Sequence, residues 1–119
     1  MHRTAALAAL TDVGAVVVFC LLGRRSHAEA LSLAGLAATM WPFVTGTLTG
    51  WVLARGWRRP LAVAPTGVIV WAATVTVGML LRKVSGQGTA TAFVVVATVS
   101  TAVLLLGWRA ATALAARRR

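Results

Sequence analysis

Two acidic residues stand against twelve Lys and Arg in this 119-residue chain, and they sit in very different company. Glu29 lies among Ser26, His27 and Ala28, in a polar stretch, whereas Asp12 interrupts the apolar run from Ala5 to Leu22. A carboxyl inside such a run costs roughly 2.5–3.5 kcal/mol on membrane-insertion scales, so it normally turns toward a partner inside a helix bundle. At that depth it can serve as a proton carrier, and Asp12 is therefore the first candidate for a proton or substrate site. Two other readings stand beside it. Asp12 can hydrogen-bond a neighbouring helix and simply set its packing, or the span can begin later, with Thr11 capping a helix start at the membrane surface.

Depth suggests partners. Trp41 and Trp71 each fall ten residues into their own apolar stretches, near the midplane, whereas Trp51, Trp57 and Trp108 fall where membrane interfaces normally collect indoles. An indole N–H needs an acceptor when buried, so Trp41 and Trp71 are expected to line Asp12; the alternative is that their rings only fill core or face lipid. Arg24, Arg25, Arg82 and Lys83 form a second candidate group, an outer site for an anion or lipid headgroup. Gly86-Gln87-Gly88-Thr89 runs into the last apolar stretch beside them, with Thr89 as the expected cap. The competing reading is that such basic flanks only anchor helices to lipid phosphates.

Catalytic chemistry finds little purchase. His27 and Glu29 make a poor acid–base pair without a nucleophile motif, and the sequence has no phosphate loop and no metal-ligand spacing among its two His and one Cys. The expectation is a protein that is not an enzyme and carries no metal or cofactor.

The elements that must position these groups follow from charge and apolar patterning. The chain is 59% hydrophobic, only 12% charged, and has a mean hydropathy of +0.84. Soluble domains usually carry about a quarter of their residues as charges. The net charge of +10 hints at nucleic acid, but the charges cluster between apolar runs, which excludes that reading. Those runs cover 5–22, 31–54, 61–81 and 89–108. A helix needs about 20 apolar residues to cross a bilayer. The expected fold is therefore all-α, an integral membrane bundle of four transmembrane helices in one domain, with a basic tail over 109–119. Asp12, together with Arg24 and Arg25 ahead of Ala28-Glu29-Ala30, disfavours a cleaved signal peptide, and Phe19 before Cys20 disfavours a lipoprotein site.

Eight basic residues lie on the side shared by the termini and the Arg55–Pro60 loop, and four lie on the other. The positive-inside rule then places both termini in the cytoplasm and the protein in the cytoplasmic membrane. The pairs Arg24-Arg25 and Arg82-Lys83 recur at an offset of 58, and Gly50-Trp51 and Gly107-Trp108 at an offset of 57, as in two tandem hairpins of like orientation. Regular spacing of this kind also arises without duplication, and Asp12 maps onto Val70.

The second run carries Pro42, which removes a helical hydrogen bond and frees a carbonyl one turn earlier; Thr39, Thr45 and Thr47 are close enough to satisfy freed backbone. Gly46 and Gly50 form a small-xxx-small pair suited to close helix packing.

Asp12, Gly23-Arg24-Arg25-Ser26-His27, Trp41-Pro42-Phe43, Gly50-Trp51, Pro65, Gly78-Met79-Leu80-Leu81-Arg82, Gly86-Gln87-Gly88-Thr89, Ala92-Phe93 and Gly107-Trp108-Arg109 occur in this order. That set resembles an uncharacterised family of small four-helix membrane proteins, mainly actinobacterial and archaeal, labelled as a domain of unknown function. The resemblance implies architecture and no activity. Asp12 and Trp71 are also similar in placement to an acid and a tryptophan of the small multidrug-resistance transporters. The Asp in place of their Glu, the basic outer loops and the Trp41-Pro42-Phe43 segment depart from that pattern.

The functional expectation is a small proton-linked transporter or channel subunit, with the lipid bilayer and a small solute or anionic lipid as partners. It is expected to be a homodimer, since four short helices enclose little space. The alternative is a structural or accessory protein that binds a partner helix or anionic lipid through Gly46, Gly50 and the basic outer pairs.

Overall fold

A computed structural model describes residues 2–26 and 32–118, with the side chains of His2, Arg25 and Ser26 outside the described part. The described residues form four helices and no strand: α1 (His2–Ser26), α2 (Leu33–Ala54), α3 (Val68–Val84) and α4 (Thr91–Arg117). α1, the Val63–Val84 segment and α4 are long and apolar enough to cross a membrane. At about 1.5 Å per residue, the 22 residues of α2 also have the length, but four threonines, three glycines and a proline make it less apolar.

Residue choice at the ends explains the boundaries. Ser32 caps α2 by accepting from the Gly35 N–H at 3.0 Å, which relieves one of the unpaired donors of the first turn. α2 stops at Arg55, in the left-handed region at φ 50°, and the Gly56 N–H returns to the Trp51 carbonyl at 2.9 Å. A Cβ at residue 56 would run into the Trp51 ring, so only glycine lets the loop fold under that indole.

The third and fourth spans differ from expectation. The chain enters α3 through an extended Ala64 and a short wide turn over Val63–Gly67, because Pro65 has no N–H to give a helix, so the regular helix starts at Val68. α4 starts at Thr91 after an Ala90 cap without a side-chain bond, so Thr89 does not cap it. It then continues to Arg117, making helix of most of the expected tail and placing Arg109 inside the bundle.

α2 and α3 make the closest pair. A Cβ on Gly46 would stand 2.8 Å from the Ala73 carbonyl, and one on Gly50 would stand 2.7 Å from the Val70 Cα. The two backbones touch there, as the small-xxx-small spacing predicts. The Thr47 and Thr74 hydroxyls meet across the contact at 2.8 Å, one donating to the other while the accepting hydroxyl gives its own proton to a carbonyl of its helix. Above them Phe43 packs edge-on to Phe19, with centroids 5.5 Å apart, and joins Val16, Ala97 and Leu105 in the core.

Candidate functional site

Asp12 lies in the middle of α1, nearly three turns from its start, so it is neither a cap nor at a helix end; Thr11 bonds the Leu7 carbonyl. Its carboxylate is fully buried and takes a donor at each of four acceptor positions. Arg109 approaches end-on with two prongs, Nη1 to Oδ1 at 2.8 Å and Nη2 to Oδ2 at 2.7 Å. The Trp108 indole donates to Oδ1 at 2.9 Å and the Trp51 indole to Oδ2 at 2.8 Å. An ionised carboxylate offers about four lone-pair sites, and here all four are used.

The cation is equally well held. Arg109 is 0% exposed, gives its Nε–H to the Pro60 carbonyl at 3.0 Å and a further Nη1 bond to the Leu105 carbonyl at 3.2 Å, and stacks 4.4 Å from the Trp108 ring. Gly67 passes close to it: a Cβ there would lie 3.0 Å from the Arg109 Cδ. The site thus ties α1, α2, α4 and the segment before α3 together in one cluster, in the half of the bundle that holds the start of α1 and the end of α4. Buried charges are tolerable when paired and hydrogen-bonded in this way.

Trp41 and Trp71, expected to line Asp12, are not there. Trp71 gives its N–H to the Thr98 carbonyl at 3.0 Å, and Trp41 is 43% exposed. The reason is register: α1 and α2 run antiparallel, so the α2 residue level with Asp12 lies near the end of α2, and Trp41 is about 15 Å away along the helix. Trp51 and Trp108, read as interfacial, take the role instead. The signal that could have found them is the recurrence of Gly-Trp at 50–51 and 107–108, whose two indoles reach the same carboxylate. Arg109, read as part of the tail, lies one residue beyond the second of these tryptophans.

At the opposite end the basic pairs divide. Arg24 and Arg82 line one cavity of about 770 Å³, together with Cys20, Thr39, Trp41 and Gln87. Arg24 donates to the Thr39 hydroxyl at 2.9 Å, and Arg82 donates to the Gln87 amide oxygen at 2.9 Å and the Gly88 carbonyl at 3.0 Å. The Arg82 guanidinium lies 4.4 Å from the Phe93 ring centroid. Lys83 is exposed and faces a separate shallow hollow with Thr89, away from Arg82. The Arg25 side chain, His27 and Glu29 lie outside the described residues.

Pro42 positions this cavity. The carbonyl it leaves without a helical donor belongs to Ala38, and Gln87 Nε2 donates to it at 2.9 Å. The threonines expected to do so bond elsewhere: Thr39, Thr45 and Thr47 return to Gly35, Trp41 and Phe43 of their own helix. A glutamine from the α3–α4 loop therefore docks on the proline defect in α2 and closes one side of the cavity. Among the described residues no group of three or more His, Cys, Asp and Glu is placed to hold a metal ion.

No curated protein and no solved structure matches this chain. A family model described as a protein of unknown function, DUF3054, matches residues 9–112, which takes in Asp12, Arg109, both indoles that bond the carboxylate and both arginines of the cavity. The chain belongs to the DUF3054 family.

Proposed function

We propose that the protein is a small membrane-embedded carrier that takes up an anionic solute or headgroup in the cavity between Arg24 and Arg82. The observation that carries this reading is that guanidinium groups from two helices line the same cavity, with hydroxyl and amide groups beside them and the aromatic rings of Phe19, Trp41 and Phe93 around them. A concave, mostly apolar site with a few convergent polar groups is the usual form of a small-molecule site. Guanidinium is the side chain best matched to carboxylate and phosphate.

Asp12 enters this reading as the strut that closes the opposite end. Proton-linked transport through Asp12 would require its carboxyl to exchange a proton with water, and four donors from three side chains surround it instead. A second reading, an accessory protein that holds an anionic lipid without moving it, is favoured by the packed interior between the two ends, where Phe43, Thr47 and Leu105 are fully buried.

The test is made on purified protein in phosphatidylcholine nanodiscs, by thermal shift against a panel of organic phosphates and carboxylates. Stabilisation by an anion in wild type, lost in Arg24→Gln and in Arg82→Gln, is the expected result; no anion-specific shift would overturn the reading. Flux of the stabilising anion in proteoliposomes then separates carrier from accessory protein.

A further inference from the structure

The cavity contains its own stand-in for a ligand oxygen. Gln87 Oε1 accepts from Arg82 Nη1 at 2.9 Å, while Nε2 of the same amide is anchored on the Ala38 carbonyl at 2.9 Å. The anchor exists because Pro42 removed the helical donor to Ala38, so the amide is held from behind by a backbone defect and presents a neutral oxygen to a cation. The Phe93 ring packs against the same guanidinium, 4.4 Å from its centroid. Hydrogen bonds between a guanidinium and an anion are roughly twice as strong as neutral ones, so an anionic oxygen arriving in the cavity competes favourably with Gln87 for this donor.

The wall also carries Thr39 and Ser85, but its large side chains other than the arginines and Gln87 are the aromatic rings of Phe19, Trp41 and Phe93. Phe19 and Trp41 line the same cavity, and Trp41 is at the same time 43% exposed, so its ring belongs both to the cavity wall and to the surface. A volume of about 770 Å³ falls within the size of sites that enclose one small ligand.

We infer that the ligand is a single-chain amphiphile with a carboxylate or phosphate-monoester head, whose head oxygen displaces Gln87 from Arg82 and whose chain lies against Phe19 and Trp41. This rests on the cavity being an anion site. In the bound state Gln87 keeps its bond to Ala38 and loses only the one to Arg82, so removing the glutamine removes an interaction that favours the empty state alone.

The probe is 12-bromododecanoate, added to the protein in phosphatidylcholine nanodiscs, with bromine quenching of tryptophan as the readout and acetate as the head-only arm. Wild type is expected to show saturable quenching that depends on Arg82 and is reduced in Trp41→Phe. Gln87→Ala is expected to bind about fivefold more tightly, the factor set by one competing hydrogen bond. Gln87→Glu, which keeps the size and sets a permanent anion on Arg82, is expected to bind at least about tenfold more weakly. Unchanged or weaker binding in Gln87→Ala, with wild type binding normally, overturns the displacement and leaves the anion site standing. Acetate competing as well as the long-chain probe overturns the amphiphile assignment. Absence of saturable, Arg82-dependent binding in wild type overturns the anion site itself.

Discussion

Asp12 and Arg109, 97 residues apart in the chain, meet as a two-pronged ion pair in which neither side chain is exposed. Removing one partner leaves the other charge buried and uncompensated, which typically costs about 3–5 kcal/mol. Asp12→Asn should therefore lower stability by about that amount, measured as loss of the folded fraction in denaturant titrations in detergent micelles. The double replacement Asp12→Leu with Arg109→Leu should recover only part of the loss, because it removes the uncompensated charge but leaves the Trp51 and Trp108 indole N–H groups without their acceptor. A wild-type midpoint for Asp12→Asn would show that the pair does not hold the bundle.

The two indoles give a graded test of the same site. Hydrogen bonds to charged groups contribute about 1.5–3 kcal/mol, so Trp51→Phe and Trp108→Phe should each destabilise by an amount in that range. Trp41→Phe, at an exposed position, should stay within about 0.5 kcal/mol. Thermal melts of the three variants side by side decide it, and equal effects at all three positions would contradict the geometry.

Close packing of α2 on α3 predicts an asymmetry among glycines. Gly50→Ala places a methyl against the Val70 backbone and should cost about 1–3 kcal/mol. Gly14→Ala and Gly107→Ala meet nothing within 4 Å and should be neutral or stabilise by up to about 1 kcal/mol, since alanine is the better helix former. Unfolding midpoints of the three proteins are the measurement.

Pro42→Ala restores an N–H that can donate to the Ala38 carbonyl and so competes with Gln87. The α3–α4 loop should then loosen, with amide hydrogen exchange over 85–90 faster than in wild type. Exchange there as slow as in wild type would mean that the proline defect does not anchor the loop.

Local patterning made the helices legible. Apolar runs nearly free of charge, a proline in α2 and the Gly46/Gly50 spacing predicted four helices and a close contact, because those signals depend only on residues near one another in sequence. The ends were less legible: α3 begins after the Pro65 turn, and α4 continues through Arg109 because its alanines favour helix beyond the last apolar stretch.

The site shows the division most clearly. That Asp12 needs a buried partner follows from its residue type and its apolar setting alone. Which partner it takes depends on how antiparallel helices slide past one another, and ten residues of register separate Trp41 from Trp51. The Gly-Trp recurrence held the better clue, since Trp51 and Trp108 meet on one carboxylate, just as Arg24 and Arg82, related by the offset of 58, line one cavity. Residue types and apolar spacing alone require that a carboxyl and a row of arginines lie within or beside apolar helices, where charge is too costly to leave unpaired. That Arg109 neutralises Asp12 toward one end while Arg24 and Arg82 gather at the other emerges only in the packed bundle, because pairing between distant segments is set by helix direction and register.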